Sequence, residues 1–201
     1  MPAPIEFYFD FSSPYGYLAS EKIEALAAKH GREVSWHPVL LGVVFKQTGA
    51  VPLLQIPLKG EYSQRDMHRS ARFHGVERFR VPTKFPIPSQ AAARIVLWTA
   101  QRDATLAARV IHALYRAYFV DDRDISSPEV AVSVAASCGL DAAEVRAAIE
   151  DLAIKDALKR ANEQAIAKGV FGSPYIIVDG EPFWGLDRLD QVDRWMATGG
   201  W

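Results

Sequence analysis

Strand-forming sequence in this chain is confined to its two ends. Ile5 to Phe11 crowds Ile, Phe and Tyr together with no polar alternation, the pattern of an interior strand buried on both faces. It stops at Ser12-Ser13-Pro14, where a serine hydroxyl can cap orphan N–H groups and proline has no N–H to lose, so a helix is predicted to start there. Leu18, Ala19, Ile23, Leu26 and Ala27 recur at three and four residues up to His30, Gly31 closes the helix, and Val34 to Val39 reads as a second strand. Strand, helix, strand within the first forty residues calls for a right-handed parallel crossover. The next strand signal is Tyr175 to Val178, followed by the hairpin turn Asp179-Gly180 and a short strand Pro182 to Trp184 whose proline suits an edge or a first position. Asp187 is read as the cap of a terminal helix with Leu189, Val192, Trp195 and Met196 on one face.

The middle of the chain has another character. Gly42 to Lys59, with Pro52 and Pro57, reads as a loop with at most a short helical turn. Tyr62 to His74 reads as helix, and a proline-rich connection leads to an alanine-rich stretch from Ser89 to Phe119, broken where Asp103 can cap a second helix. Ser127-Pro128 starts another helix that Gly139 ends. Asp141 and Glu144 have capping-box spacing and open a helical region, with room for a kink or break, that runs to Gly169. The expected architecture is α/β. A small layered sheet domain made of residues 1–40 and 170–201 is interrupted by a connecting segment and helical insertion, 41–169. With 201 residues, 49% of them hydrophobic, the chain can bury a full core, and neither part looks complete alone.

Charge excludes little and suggests little: 23 basic against 24 acidic residues leave a net charge of −1, with no electrostatic case for nucleic acid. The single Cys138 forms no internal disulfide and builds no zinc site alone, and the spread of His37, His68 and His74 with Asp66 is not a metal-binding pattern. No stretch has the apolar run of an export signal or a membrane span, so the expected setting is the cytoplasm.

Two stretches carry chemistry beside an ordinary structural reading. Asp10 to Leu18 is a strand followed by an N-cap, and equally a hydroxyl at a helix N-terminus on the carboxyl edge of a sheet, where anions and ligands bind. A serine there with no neighbouring base is a poor covalent nucleophile and a good hydrogen-bond donor to another group's anion. Gly169 to Tyr175 is loop punctuation before a strand; with a cis Pro174 it would also turn the preceding residue's backbone outward to pair with a peptide. The isomer is open from sequence.

Three segments, FYFDFSSPYGYLA, KGEYSQRD and GVFGSPYIIVDGEPFWGLDRL, stand in an order and spacing that resembles the 2-hydroxychromene-2-carboxylate isomerase family. That family lies in the glutathione transferase kappa and DsbA-like branch of the thioredoxin superfamily. The resemblance covers nearly the whole chain and implies a thioredoxin-like fold interrupted by a helical domain, a homodimer, and glutathione as cofactor. Ser13-Pro14-Tyr15-Gly16 stands where redox members carry Cys-Pro-Tyr-Cys, so no dithiol is present to cycle. By the resemblance Ser13 is the catalytic serine at the glutathione sulfur, and Ser173, before Pro174, pairs through its backbone with the cysteinyl part. Asp187 is associated with the γ-glutamyl end, a role compatible with capping. Leu186 replaces a serine common in kappa transferases, removing one donor at that cofactor position. Lys59, Tyr62 and Asp66 match a Lys-x-x-Tyr-x-x-x-Asp pattern. There Lys59 faces the glycyl carboxylate, its alternative being a solvated surface charge, and Asp66 reaches the ligand of a neighbouring subunit.

An aromatic carboxylate substrate would need an apolar cleft, for which Phe45, Phe85 and Trp184 are available, with Lys84 or Arg80 for the carboxylate; core aromatics and surface cations are the alternative for each. The activity the resemblance implies is glutathione-dependent cis-trans isomerisation of 2-hydroxychromene-2-carboxylate to trans-o-hydroxybenzylidenepyruvate in aromatic hydrocarbon catabolism. The alternatives are a kappa-like glutathione transferase or peroxidase and, in another class, a non-catalytic glutathione- or peptide-binding module.

Overall fold

Residues 2–201 are described by a computed structural model, and its four-stranded sheet is assembled from the two chain ends in the order β2-β1-β3-β4. β1 (Ile5–Phe9) and β2 (Val34–Pro38) are parallel, joined by helix α1 (Pro14–Lys29). β3 (Tyr175–Val178) runs antiparallel to β1, with Phe7 opposite Ile176, and β4 (Glu181–Trp184) closes the sheet as its edge. Pro182 therefore sits on an edge strand, where its missing N–H disturbs least. Asp179 and Gly180 both take positive φ, the conformation a two-residue hairpin turn needs, and Arg32 holds the Asp179 carboxylate at 2.6 Å.

Eight further helices follow among the described residues: α2 (Leu41–Thr48), α3 (Lys59–Phe73), α4 (Gln90–Ala100), α5 (Ala104–Phe119), α6 (Pro128–Ser137), α7 (Ala142–Glu150), α8 (Leu152–Ala167) and α9 (Leu189–Thr198). The side chains of Ser13, Asp103, Ser127 and Asp141 cap α1, α5, α6 and α7 as their spacing predicted. Asp151 ends α7 and caps α8, which places the break in the long helical region. No helix among the described residues is long and apolar enough to cross a membrane.

Three sequence expectations need correction. β1 stops at Phe9, because the Asp10 carboxylate takes the Ser12 N–H at 2.8 Å and turns the chain two residues earlier than the apolar run suggests. The segment after Gly42 is not mostly loop. Leu41–Thr48 is helical, with Val44 buried, α8 alongside, and Gly49 at φ 73° ending it. Asp187 caps no helix: Gly185, at φ 109°, turns the chain into a single 3₁₀ turn, Leu186–Arg188, and α9 begins beyond it without a side-chain cap.

One core serves both sheet and helices. Phe9 and Phe11 from the β1 end meet Tyr115 of α5 at ring-centroid distances of 5.8 and 4.9 Å, and Tyr17 of α1 stacks on Phe119 at 5.3 Å. These fully or nearly fully buried rings join α5 to the sheet through large apolar area and offset or edge contacts. Leu114→Ala, which opens a cavity at a fully buried position, is expected to destabilise the chain by about 2–5 kcal/mol. Asp103→Ala, which loses only the cap to the Leu106 N–H, is expected to cost about 1 kcal/mol. Equilibrium chemical denaturation checks both; equal losses would contradict the anchoring of α5 by the shared core.

Candidate active site

The site forms where β1 ends, α1 begins and the chain returns into β3. Ser13 has extended backbone angles, φ −101° and ψ 112°, and Pro14 fills the first helical position. The Ser13 hydroxyl accepts the Gly16 N–H at 3.0 Å and donates to the Ser173 carbonyl at 2.8 Å. Capping and contact with the facing loop are thus functions of the same oxygen. The Ser173-Pro174 peptide is cis, which resolves the isomer left open by sequence. Ser13 is buried at 4% exposure, while Ser12, Tyr15 and Ser173 around it are partly exposed.

Gly16 has no space beside it. A Cβ there would lie 2.7 Å from the Ser173 hydroxyl and 2.9 Å from the Tyr115 hydroxyl. Neither Ser13 nor Gly16 supplies a thiol to this motif, and two hydroxyls fill the volume where a side chain at position 16 would start. Neither Ser173 nor Tyr115 is loose. The Ser173 hydroxyl accepts the Asp10 N–H at 3.0 Å, and Tyr115 donates to the Asp10 carbonyl at 3.0 Å. Burial, and secondarily the charge of Asp10, pushes the Tyr115 phenol well above its ordinary pKa, so it remains a donor.

The other residues singled out by sequence fall into two groups. Close to the turn, Tyr15 donates to Asp66 of α3 at 2.6 Å, and Arg69 is paired with the same carboxylate. Burial opposes ionisation of Asp66, but the hydrogen bonds from Tyr15 and Arg69 outweigh it and hold the carboxyl below the usual range. The Gly185 N–H donates to the Pro174 carbonyl at 3.1 Å, which fastens the Leu186–Asp187 turn beside the cis peptide. Leu186 is buried there, whereas the Asp187 carboxylate points outward, 72% exposed, with Arg188 at 3.4 Å. Phe85 packs against the main core, and two residues on the Ile87 N–H donates to the Ser12 hydroxyl at 3.0 Å, laying this loop over the Ser12–Ser13 turn. Without a hydrogen bond to this turn, Lys59 opens α3 with no acidic partner among the described residues, and half-buried Phe45 lies on α2. Lys84 is taken by Asp124 at 2.7 Å and Ser126 at 2.9 Å, and Arg80 faces Asp122 at 3.9 Å, so neither cation stands free.

Trp184 is 54% exposed and rests edge-on to Phe171, 43% exposed, at 4.9 Å, with Gly172 pressed against the indole. Phe171 escaped the sequence reading because an aromatic between glycines reads as loop. Asp10, Ser89 and Tyr115 were also missed as site residues. Asp10 did carry a signal: an acidic side chain inside the apolar run FYFDF has to be buried with partners.

The sequence profile of the DSBA-like thioredoxin domain matches residues 4–197. A 2-hydroxychromene-2-carboxylate isomerase of Sphingobium xenophagum is 28% identical over 207 aligned positions, covering 98% of this chain and 99% of the relative. Glutathione S-transferase kappa 2 of Caenorhabditis elegans is 27% identical, covering 96% of this chain and 91% of the relative. Among solved structures, a 2-hydroxychromene-2-carboxylate isomerase superimposes with a TM-score of 0.87 over 96% of this chain and 94% of its own, at 22% identity. A profile that spans almost the whole chain, on a fold of the same layout, shows that this chain belongs to the DsbA-like thioredoxin family.

Proposed function

We propose that the chain is a glutathione-dependent isomerase acting on 2-hydroxychromene-2-carboxylate or a closely similar aromatic carboxylate, in aromatic hydrocarbon catabolism. The observation that carries this reading is the Ser13–Ser173 pair beside a cis proline, with Gly16 in place of any second thiol. Dithiol exchange has no chemistry there, whereas a hydroxyl at a helix N-terminus suits a single external thiolate.

The residues present fit the tripeptide. The Ser173 carbonyl is an acceptor for a peptide N–H. Lys59 offers an ammonium for a carboxylate and Asp187 a carboxylate for an ammonium, both at the surface. Leu186, with its side chain buried, contributes backbone alone. When bound, glutathione supplies a sulfur nucleophile that adds reversibly to a conjugated double bond and so lets that bond rotate. The chain's part is to make the sulfur anionic and to hold the substrate. In the free protein the Ser13 hydroxyl hydrogen is directed at the Ser173 carbonyl. A ligand N–H that takes this carbonyl releases the hydroxyl hydrogen to turn toward sulfur, and the first-turn N–H groups of α1 add positive potential. The Tyr15–Asp66 bond braces α3 against this turn. Phe45, Phe85 and Trp184 are the aromatic side chains available to a substrate ring; a substrate carboxylate at Lys84 would have to compete with Asp124.

Turnover of a 2-hydroxychromene-2-carboxylate is expected only with glutathione present, with free glutathione recovered; equal rates without it would remove the cofactor. A stable conjugate would instead favour the kappa-transferase reading that the Caenorhabditis relative supports. A bound-thiol pKa no lower than that of free glutathione, measured by ultraviolet titration, would favour a passive binding module. Ser13→Ala is expected to raise the bound-thiol pKa and lower the chemical rate about ten- to a thousandfold. A role as cap alone would cost about 1 kcal/mol of stability and leave the rate unchanged. Denaturation and pre-steady-state kinetics on one sample separate the two. The proposed assembly is a homodimer, supported by exposed Val51 and Leu58 on the segment before α3 and exposed Tyr62 in its first turn, one turn from Asp66. Light scattering at micromolar concentration is expected to give twice the mass of the chain, and a monomer mass overturns it.

A further inference from the structure

Asp10 is nearly inaccessible, 4% exposed, and carries a carboxylate deep beside a site in which it touches no surface. Every polar group it owns is committed. Oδ1 accepts the Ser12 N–H at 2.8 Å and the Ser89 hydroxyl at 2.7 Å, and Oδ2 accepts the Leu41 N–H at 2.6 Å. Its backbone N–H donates to the Ser173 hydroxyl, and its carbonyl accepts from the Ser13 N–H at 2.9 Å and from Tyr115. These partners come from separate segments: the catalytic turn itself, the start of α2, the residue before α4, the middle of α5 and the loop before β3. Two of them, Leu41 and Ser89, belong to opposite ends of the connection between β2 and α4.

We propose that Asp10 is a positioning residue for the Ser13 site: its carboxylate fixes the Ser12–Ser13 turn against Leu41 and Ser89, while its backbone fixes Ser173, so that hydroxyl and carbonyl meet at hydrogen-bond distance. The inference deepens the glutathione reading above and rests on it. Apolar packing would hold these segments together without setting their relative position to tenths of an ångström; hydrogen bonds from three segments to one buried carboxylate do set it. Burial, which the hydrogen bonds from Ser12, Ser89 and Leu41 oppose, pushes the Asp10 pKa up. The ionised carboxylate is thus disfavoured by folding, and the stability contributed by this group falls as pH rises from its unfolded to its folded pKa.

The test separates position from charge by sign. Loss of a nearby negative charge stabilises a thiolate and lowers its pKa, whereas displacement of the Ser13 hydroxyl raises it. Ser89→Ala removes one donor to Asp10, and Ser89 is bonded to neither Ser13 nor Ser173. The bound-thiol pKa of the glutathione complex is expected to rise in Ser89→Ala and to return in Ser89→Thr, which restores a hydroxyl. The thiolate fraction at neutral pH should fall severalfold, and affinity for S-methylglutathione, which has no thiol to ionise, should stay within about twofold. Asp10→Asn keeps the shape but sets an amide N–H against the Leu41 N–H or loses the Ser12 contact, and its bound-thiol pKa is also expected to rise. A folded Ser89→Ala with the wild-type value overturns the proposal, as does a lowered value in Asp10→Asn; failure of both variants to fold assigns Asp10 a structural role and overturns it too. A wild-type protein that binds no glutathione, or binds it with an unshifted thiol pKa, instead overturns the functional reading.

Discussion

The aromatic contact between the end of β1 and helix α5 is what makes the rest of this structure possible. Phe9, Phe11 and Tyr17 belong to the sheet half, Tyr115 and Phe119 to the helical half, and each ring is buried by the others. A four-stranded sheet of short strands buries too little by itself to be stable, and the helices would leave the rings of Tyr115 and Phe119 uncovered without the sheet-side aromatics. Sharing the large rings solves both problems at once. It also brings a helix from the middle of the sequence to the carboxyl end of β1, and with it the Tyr115 hydroxyl.

That hydroxyl shows how packing passes into chemistry. Tyr115 is held by apolar neighbours, its phenol is kept protonated by burial, and its oxygen bonds the Asp10 carbonyl beside Gly16. The Ser173 hydroxyl arrives from the other side and bonds the Asp10 N–H. Between them they occupy the space where a second thiol side chain would begin. The Ser-Pro-Tyr-Gly motif and the loop before the cis proline are therefore parts of one steric arrangement: exchanging Gly16 for a thiol residue would require Ser173 and Tyr115 to move.

Much of this was legible in the sequence because it depends on local preferences. Apolar runs, period-3.6 patterns, the Asp-Gly turn, Ser-Pro starts and aspartate caps are encoded within a few residues, and α1, α5, α6, α7 and the β3–β4 hairpin follow from them. Misreadings arose both where a distant partner decided and where a neighbouring residue turned the chain first. α2 has weak local signals and forms because Val44 finds a buried place and the Leu41 N–H finds Asp10. Asp187 has the residue type of a cap, but Gly185 turns the chain first. In the site, Ser13, Ser173 and Pro174 were visible from their motifs, whereas Tyr115 and Ser89 sit in ordinary helical surroundings and gain meaning only through contacts with residues far off in sequence.

The sequence by itself determined that sheet segments at the two chain ends flank a helical middle, and that no dithiol stands at the β1–α1 turn, since both depend on residue identity and near neighbours. The tertiary structure alone decided that Ser13 faces the Ser173 carbonyl, that the peptide before Pro174 is cis, that Lys84 is already engaged by Asp124, and that Asp10 joins five segments, three through its carboxylate and two through its backbone. The physical reason is range. Hydrogen bonds and van der Waals contacts act over a few ångströms in space, and residues 160 positions apart come within that range only after the core has closed.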